Sequence, residues 1–242
     1  MTQSTLKALI VTPENSTMLE PEIRALCPEF SDIRVGRVPR SPGMLTLDTL
    51  PILEERSLRV LEDNLSFEPD IVLFGCTVAG FLSGPERHEA YVQRLRKVAG
   101  VDVVAVAPAM EQALRASRVN STTVVTPYMD AANNSLRRYL DAVGIEVETL
   151  DSFYPGSIEN LMRITETDIL RKVNETVLPH SKSVFIACAQ MPAMNILPGI
   201  RKDLGIPVWS SIIATAWAAA RSLDAQGHRL RILDDPGYAP AQ

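Results

Sequence analysis

Ile71-Val72-Leu73-Phe74-Gly75-Cys76-Thr77 decides the fold. Four apolar residues follow Pro69-Asp70 and run into Gly-Cys-Thr, with no polar residue alternating among them. An unbroken apolar run of this length, bounded by turn residues, reads as a strand buried on both faces of a parallel sheet. Open parallel sheets bind their ligands beyond the carboxyl ends of strands, which is where Cys76 falls. The pattern returns as Val184-Phe185-Ile186-Ala187-Cys188-Ala189. Two thiols at matching strand ends suggest one site with two acid/base groups facing each other.

Working outward, residues 6–11 read as a first strand, followed by the turn-forming run Thr12-Pro13-Glu14-Asn15-Ser16-Thr17. A short helix over 21–26 and a strand over 33–38 come next. The loop Pro39-Arg40-Ser41-Pro42-Gly43 leads to a helix over 48–63. After the Cys76 strand, Gly80 and Gly84-Pro85 mark a loop. Residues 86–98 read as helix, 103–106 as strand and 109–116 as helix. The second half has strands at 122–125, 146–150, 184–189 and 207–209. Its helices fall before Ala142, at 159–162, 168–177, 192–204 and 212–220.

The halves repeat. Val11-Thr12-Pro13 returns as Val125-Thr126-Pro127, an offset of 114 (12 to 126), and the cysteines recur at an offset of 112 (76 to 188). Two landmarks at nearly one offset indicate a duplicated α/β unit. The expected fold is α/β: two pseudo-symmetric Rossmann-like lobes with parallel sheets and the site at their interface. Residues 1–117 plus 222–242 form the expected N-terminal lobe and 118–221 the C-terminal lobe.

Composition narrows the function classes. With 24 basic against 29 acidic residues the net charge is −5, which argues against nucleic acid as partner. The longest apolar stretch, 208–220, is too short and too rich in Ser and Thr to span a bilayer, so no membrane association is expected. Residues 6–11 read as a strand and not as an export leader. Three cysteines without CxxC spacing fit neither a disulfide framework nor a zinc cluster, and point to a reducing cytoplasm. No His/Asp/Glu grouping has metal-ligand spacing, and no GxGxxG or Walker sequence occurs. The expectation is no metal and no cofactor. A homo-oligomer is compatible with the sequence.

A thiol that ionises can move a proton or add to an activated alkene, and helix N-termini and backbone N–H groups favour the thiolate. Cys76 and Cys188 are the candidates. A lone cysteine is more often a small core residue, and Cys27, on a helix before Pro28, is read as core or surface. Thr77 suits a helix cap, Asn15 a turn and Tyr128 a helix start. Arg37 and Arg40 flank a Pro-rich loop able to close over a pocket, although arginines mostly face solvent. His88 is expected on an exposed helix face, away from the chemistry. His180 and Lys182 lie at the far end of the Cys188 strand, so thiol activation is assigned to helix termini and backbone donors. These are worth about 0.3–2 kcal/mol each, enough to depress a thiol pKa by one to two units at ~1.4 kcal/mol per unit. Cys76 is expected to be the more reactive thiol.

The Gly-Cys-Thr strand end, the second cysteine strand and the loop Asn15-Ser16-Thr17-Met18 resemble the aspartate/glutamate racemase superfamily. Within it the chain is most similar to the branch of maleate cis–trans isomerases and arylmalonate decarboxylases. The resemblance implies that Cys76 and Cys188 flank the substrate. It also implies a binding set of Asn15, Thr77, Val78, Tyr128, Asn160, Ala189 and Gln190. Decarboxylases of the branch carry Thr-Ser where this chain has Cys76-Thr77, so the first cysteine favours an isomerase or racemase. Amino-acid racemases read Cys-Thr at the second site, where this chain has Cys188-Ala189-Gln190.

The expected function is cofactor-independent isomerisation or racemisation of a small anionic carboxylate, of the maleate isomerase type. The alternatives are an arylmalonate-type decarboxylase using Cys188 alone, an amino-acid or hydantoin racemase, and a non-enzymatic two-lobed carboxylate-binding module.

Overall fold

A computed structural model describes residues 6–238. Strands β1 (Leu6–Pro13), β2 (Phe30–Val38), β3 (Ile71–Phe74) and β4 (Val103–Ala105) form one sheet in the order β2-β1-β3-β4. Strands β5 (Ser121–Thr126), β6 (Glu146–Ser152), β7 (Val184–Ile186) and β8 (Val208–Ser210) form a second, in the order β6-β5-β7-β8. Every pairing is parallel. The topologies are identical, as the duplication predicts. The equivalence extends to single hydrogen bonds: Gly75 N–H donates to Val11 O at 2.8 Å, and Ala187 N–H to Val125 O at 2.9 Å. In each sheet the order reverses between its first and third strands, the switch point where such sheets open a crevice. Residues 13–16 and Cys76 leave one switch point, and Tyr128 and Cys188 leave the other.

Helices α1 (Leu19–Leu26), α2 (Leu50–Asp63), α3 (Thr77–Ser83), α4 (Pro85–Ala99) and α5 (Val106–Ala116) belong to the first half. Helices α6 (Asp130–Ala142), α7 (Ile158–Leu161), α8 (Glu166–Thr176), α9 (Leu197–Leu204) and α10 (Ser211–Asp224) follow. Helices α5 and α10 pack on each other and reach both sheets: α10 meets β3 and β4 as well as β8, and α5 meets β4 and β8. Ala107, Ala109 and Ala113 on α5, and Ala214, Ala216 and Ala218 on α10, are all buried. Side chains this small let two helices and two sheets approach closely. The indole N–H of Trp209 on β8 donates to Ser117 Oγ after α5 at 2.9 Å. The tail returns to the first half, where Arg231 pairs with Glu29 at 3.1 Å.

Three expectations change. Residues 77–83, read as loop, form α3. Gly80 masks this helix because glycine is a poor helix former. A Cβ there would sit 2.4 Å from Ala107 Cβ and 3.2 Å from the His88 ring, so close packing of α3 on α4 and α5 demands glycine. Residues 192–204, read as one helix, are helical only from Leu197; Pro192 and Pro198 disfavour an earlier start.

His88 is 1% exposed, not at the surface. It shares the buried stripe of α4 with Tyr91, Val92 and Leu95, at i, i+3, i+4 and i+7. The polar residues around it in sequence hide that stripe. Both ring nitrogens lack a hydrogen-bond partner, and Phe74 and Tyr91 flank the ring. Burial, with Arg87 nearby, lowers its pKa from 6.5 to about 4.

The imidazole is therefore neutral in the fold, while the unfolded chain takes up its proton as pH drops below 6.5. Stability is lost as pH falls from 6.5 toward 4. At pH 5 this amounts to about 2 kcal/mol relative to pH 7. His88→Leu removes the titration, so urea melts at pH 7 and pH 5 are expected to differ by about 2 kcal/mol less in the variant than in the wild type. An identical acid loss in both proteins would contradict this account.

Candidate active site

Between the two switch points lies a cavity of about 310 Å³. This is the small end of the range of ligand sites, ~300–1,000 Å³. Both Cys76 and Cys188 line it. Each arrives by the same route, two residues past a buried central strand.

Cys76 is 7% exposed and immediately precedes α3. Burial pushes its thiol up to about 12, and the Cys188 sulfur opposes its ionisation. The Ala79 backbone N–H and the Arg40 guanidinium pull the other way. Cys188 is half-buried and holds φ at +143°. A non-glycine residue there stores about 1–3 kcal/mol and persists only when its surroundings over-determine it. Those surroundings are visible. Cys188 N–H donates to Ser211 Oγ at 2.9 Å, and Gln190 N–H donates to Cys188 Sγ at 3.4 Å. Burial raises this thiol too, opposed by Gln190 N–H, the Tyr128 hydroxyl and Met191 N–H. The expected depression of thiol pKa is thus corrected: desolvation outweighs the backbone donors, because a few N–H dipoles do not replace a full hydration shell.

Tyr128 lines the same cavity as both thiols. Its backbone is fixed by Asn133 Nδ2 (3.0 Å) and Ser152 Oγ (2.6 Å), which both donate to its carbonyl. Its hydroxyl is buried without a hydrogen bond of good geometry and senses Cys188, Cys76 and Thr77. Burial and the two sulfurs raise its pKa well above the ordinary phenol range, so it stays a neutral donor. The Ser16 hydroxyl is likewise buried and unpartnered at the cavity wall. Two hydroxyls without a well-formed hydrogen bond thus face one small cavity.

Other expected residues divide. Asn15 and Val78 line the cavity, Asn15 from the turn in which Ser16 N–H donates to Pro13 O at 2.9 Å. Thr77, Ala189 and Gln190 line it too, but they also join the halves. Ala189 N–H donates to Thr77 Oγ1 at 3.1 Å. The Gln190 amide exchanges two hydrogen bonds with Thr17, at 2.8 and 2.9 Å. The N–H groups that follow Cys188 are therefore already engaged. Asn160 is not brought to the cavity: it is exposed, and its amide donates to Pro155 O at 2.9 Å. The one-turn helix α7 shows the cavity Ile158 and Leu161 instead. Arg37 donates to Ser16 O and pairs with Glu20, which fixes the Asn15-Ser16 turn. His180 and Lys182 are exposed, and Cys27 is fully buried.

Sequence reasoning missed Ser16 and the apolar wall of Met44, Leu45, Met129, Ile158 and Leu161. The Pro-rich loop was a signal for Met44 and Leu45; nothing local distinguishes Met129. Among the described residues, no group of three or more His, Cys, Asp or Glu could hold a metal, and no helix is long and apolar enough to cross a membrane.

Two parallel α/β units with a thiol from each at a shared cavity define a two-cysteine, two-lobed protein of the aspartate/glutamate racemase type. The chain belongs to the arylmalonate decarboxylase family, whose model matches residues 68–230, a span holding both site cysteines. A maleate isomerase from Geobacillus stearothermophilus is 25% identical over 235 residues, covering 89% of this chain and 90% of that protein. The arylmalonate decarboxylase of Bordetella bronchiseptica is 26% identical over 165 residues, 67% of this chain and 66% of that one. A solved maleate cis-trans isomerase from Nocardia farcinica is a mutant with a covalently bound succinylcysteine intermediate. It superposes with a TM-score of 0.84 at 21% identity, covering 90% of this chain and 93% of that one.

Greater exposure makes Cys188, not Cys76, the first site thiol that an external alkylating agent reaches, reversing the sequence expectation. Brief iodoacetamide labelling with peptide mapping is expected to modify Cys188 first and Cys27 last, since burial pushes Cys27 up to about 12. Both site thiols are expected to label faster with rising pH, without a plateau below the ordinary thiol pKa of about 8.5. Early labelling of Cys27 would overturn this order.

Proposed function

We propose that this protein is a cofactor-independent isomerase acting on a small cis-enedioate such as maleate, through Cys76 and Cys188. The observation that carries the reading is the presence of a thiol at both equivalent strand ends, lining one cavity. A decarboxylase needs one thiol, to protonate an enolate. A second thiol in the matching place provides a nucleophile.

In this reading the Cys76 thiolate forms a bond to one alkene carbon, and the π pair moves to the other carbon, which takes the proton of Cys188. Rotation about the resulting single bond follows. The Cys188 thiolate then removes the proton, the pair re-forms the alkene, and the Cys76 sulfur leaves as thiolate. Atoms and charge balance over the cycle. The succinylcysteine of the Nocardia farcinica protein is the kind of adduct this sequence requires. The Tyr128 and Ser16 hydroxyls, the Asn15 amide and the first-turn N–H groups of α3 supply neutral donors for carboxylate oxygens.

Cys76→Ser and Cys188→Ser are each expected to lower kcat for maleate-to-fumarate conversion by about 100-fold or more, with the fold retained by circular dichroism. A decarboxylase would tolerate Cys76→Ser and turn over arylmalonates, and full activity in both variants would remove the thiols from the chemistry. Because the reactive form is a thiolate whose pKa is raised, kcat/KM is expected to climb with pH between 7 and 9, approaching about tenfold per unit. A falling profile over that range would exclude a thiolate nucleophile.

A further inference from the structure

The segment after Cys188 lacks regular structure until α9, yet it is tied to the first half of the chain at three successive places. Ala189 N–H reaches Thr77, the Gln190 side chain reaches Thr17, and the N–H groups of Ala193 and Met194 reach Glu22. The last tie has unusual chemistry. Glu22 lies on α1 between Leu19 and Ile23 in the buried stripe of that helix, and is 4% exposed. Its Oε1 accepts from Ala193 N–H at 3.1 Å and from Met194 N–H at 3.4 Å. Its Oε2 has no hydrogen-bond partner.

A buried carboxyl with one orphaned oxygen is costly, and an apolar residue would suit that face of α1 better. The compensation is the pair of backbone N–H groups it accepts from, on buried Ala193 and half-buried Met194. Through them, a residue on α1 restrains the chain five and six residues beyond a cysteine held at φ +143°.

We propose that Glu22 is a positioning residue of the site: its Oε1 anchors the Ala193–Met194 backbone and thereby holds Cys188 in its left-handed conformation with the thiol in the cavity. The acceptor atom does this, not the negative charge. Glu166 stands close enough to oppose ionisation, and Tyr238, with Arg201 stacked over it at 4.1 Å, feels the Glu22 charge. Burial pushes Glu22 up to about 7, so charged and neutral forms coexist near neutrality and share only the accepting oxygen. The effect on turnover rests on the isomerase reading above; the effect on the Cys188 thiol does not.

The test compares the full chain with Glu22→Gln, which keeps an acceptor, and Glu22→Leu, which removes it. A remote core variant, Leu95→Ala on α4, shows what destabilisation alone does. Each is assayed for maleate kcat and KM and for the iodoacetamide labelling rates of Cys188 and Cys76. Glu22→Gln is expected to stay within about threefold of wild type in both readouts. Glu22→Leu is expected to lower kcat about thirtyfold or more with KM little changed, and to shift the Cys188 labelling rate about tenfold while sparing Cys76. Leu95→Ala should do neither. Wild-type labelling of Cys188 in Glu22→Leu overturns the proposal, as does a Gln variant as impaired as the Leu variant. Should Glu22→Leu fail to fold, Glu22→Ala, which leaves room for water, carries the same comparison. If even the wild type leaves maleate unchanged, the isomerase reading falls, and the labelling rates still decide the role of Glu22.

Discussion

The hydrogen bond from Ala189 N–H to Thr77 Oγ1, 3.1 Å long, joins the residue after one cysteine to the residue after the other. Each sheet by itself presents one thiol beyond one switch point. A two-thiol cavity exists only while the two units are held face to face, and this bond is made at the point of contact. Its geometry depends on α3 beginning at Thr77, and α3 depends on Gly80 to lie against Ala107 and His88. The Gln190–Thr17 exchange extends the same seam to the loop that carries Asn15 and Ser16.

Burial creates a tension at this seam. The enclosure that aligns the thiols also raises their pKa, and in the proposed reading a carboxylate ligand adds negative charge to a cavity whose lining, among the described residues, carries no basic side chain. In the proposed reading neutral donors let an anion enter: Tyr128 remains protonated because its own ionisation is strongly opposed, and Ser16 has a hydroxyl without a partner. Such groups stabilise charge through oriented dipoles and carry no counter-charge that would hold a product tightly. Backbone strain at Cys188 belongs to the same balance, since the bonds around residues 188–194 are what keep a disfavoured φ occupied.

Helices α5 and α10 give the seam its stiffness. Shared between the sheets and lined by alanines, they make the two units one packed body. The C-terminal segment, through Arg231 and Glu29, adds a further tie between the halves.

Much of this was legible in the chain alone. Local apolar runs such as Val184-Phe185-Ile186, bounded by turn residues, read as two-sided buried strands, and the recurring Thr-Pro and cysteine landmarks implied two sheets of one topology with a thiol at each matching end. Those features depend on periodicity and order, which are properties of neighbouring residues. The tertiary structure decided what depends on distant ones. Gly80 reads as a helix breaker until Ala107 is placed 2.4 Å from its missing Cβ. His88 reads as surface until the stripe of α4 meets Phe74. Asn160 reads as a ligand until α7 turns Ile158 and Leu161 inward. The thiol pKa values were the least accessible, because burial is summed over every atom around the sulfur, and no short stretch of sequence contains that sum.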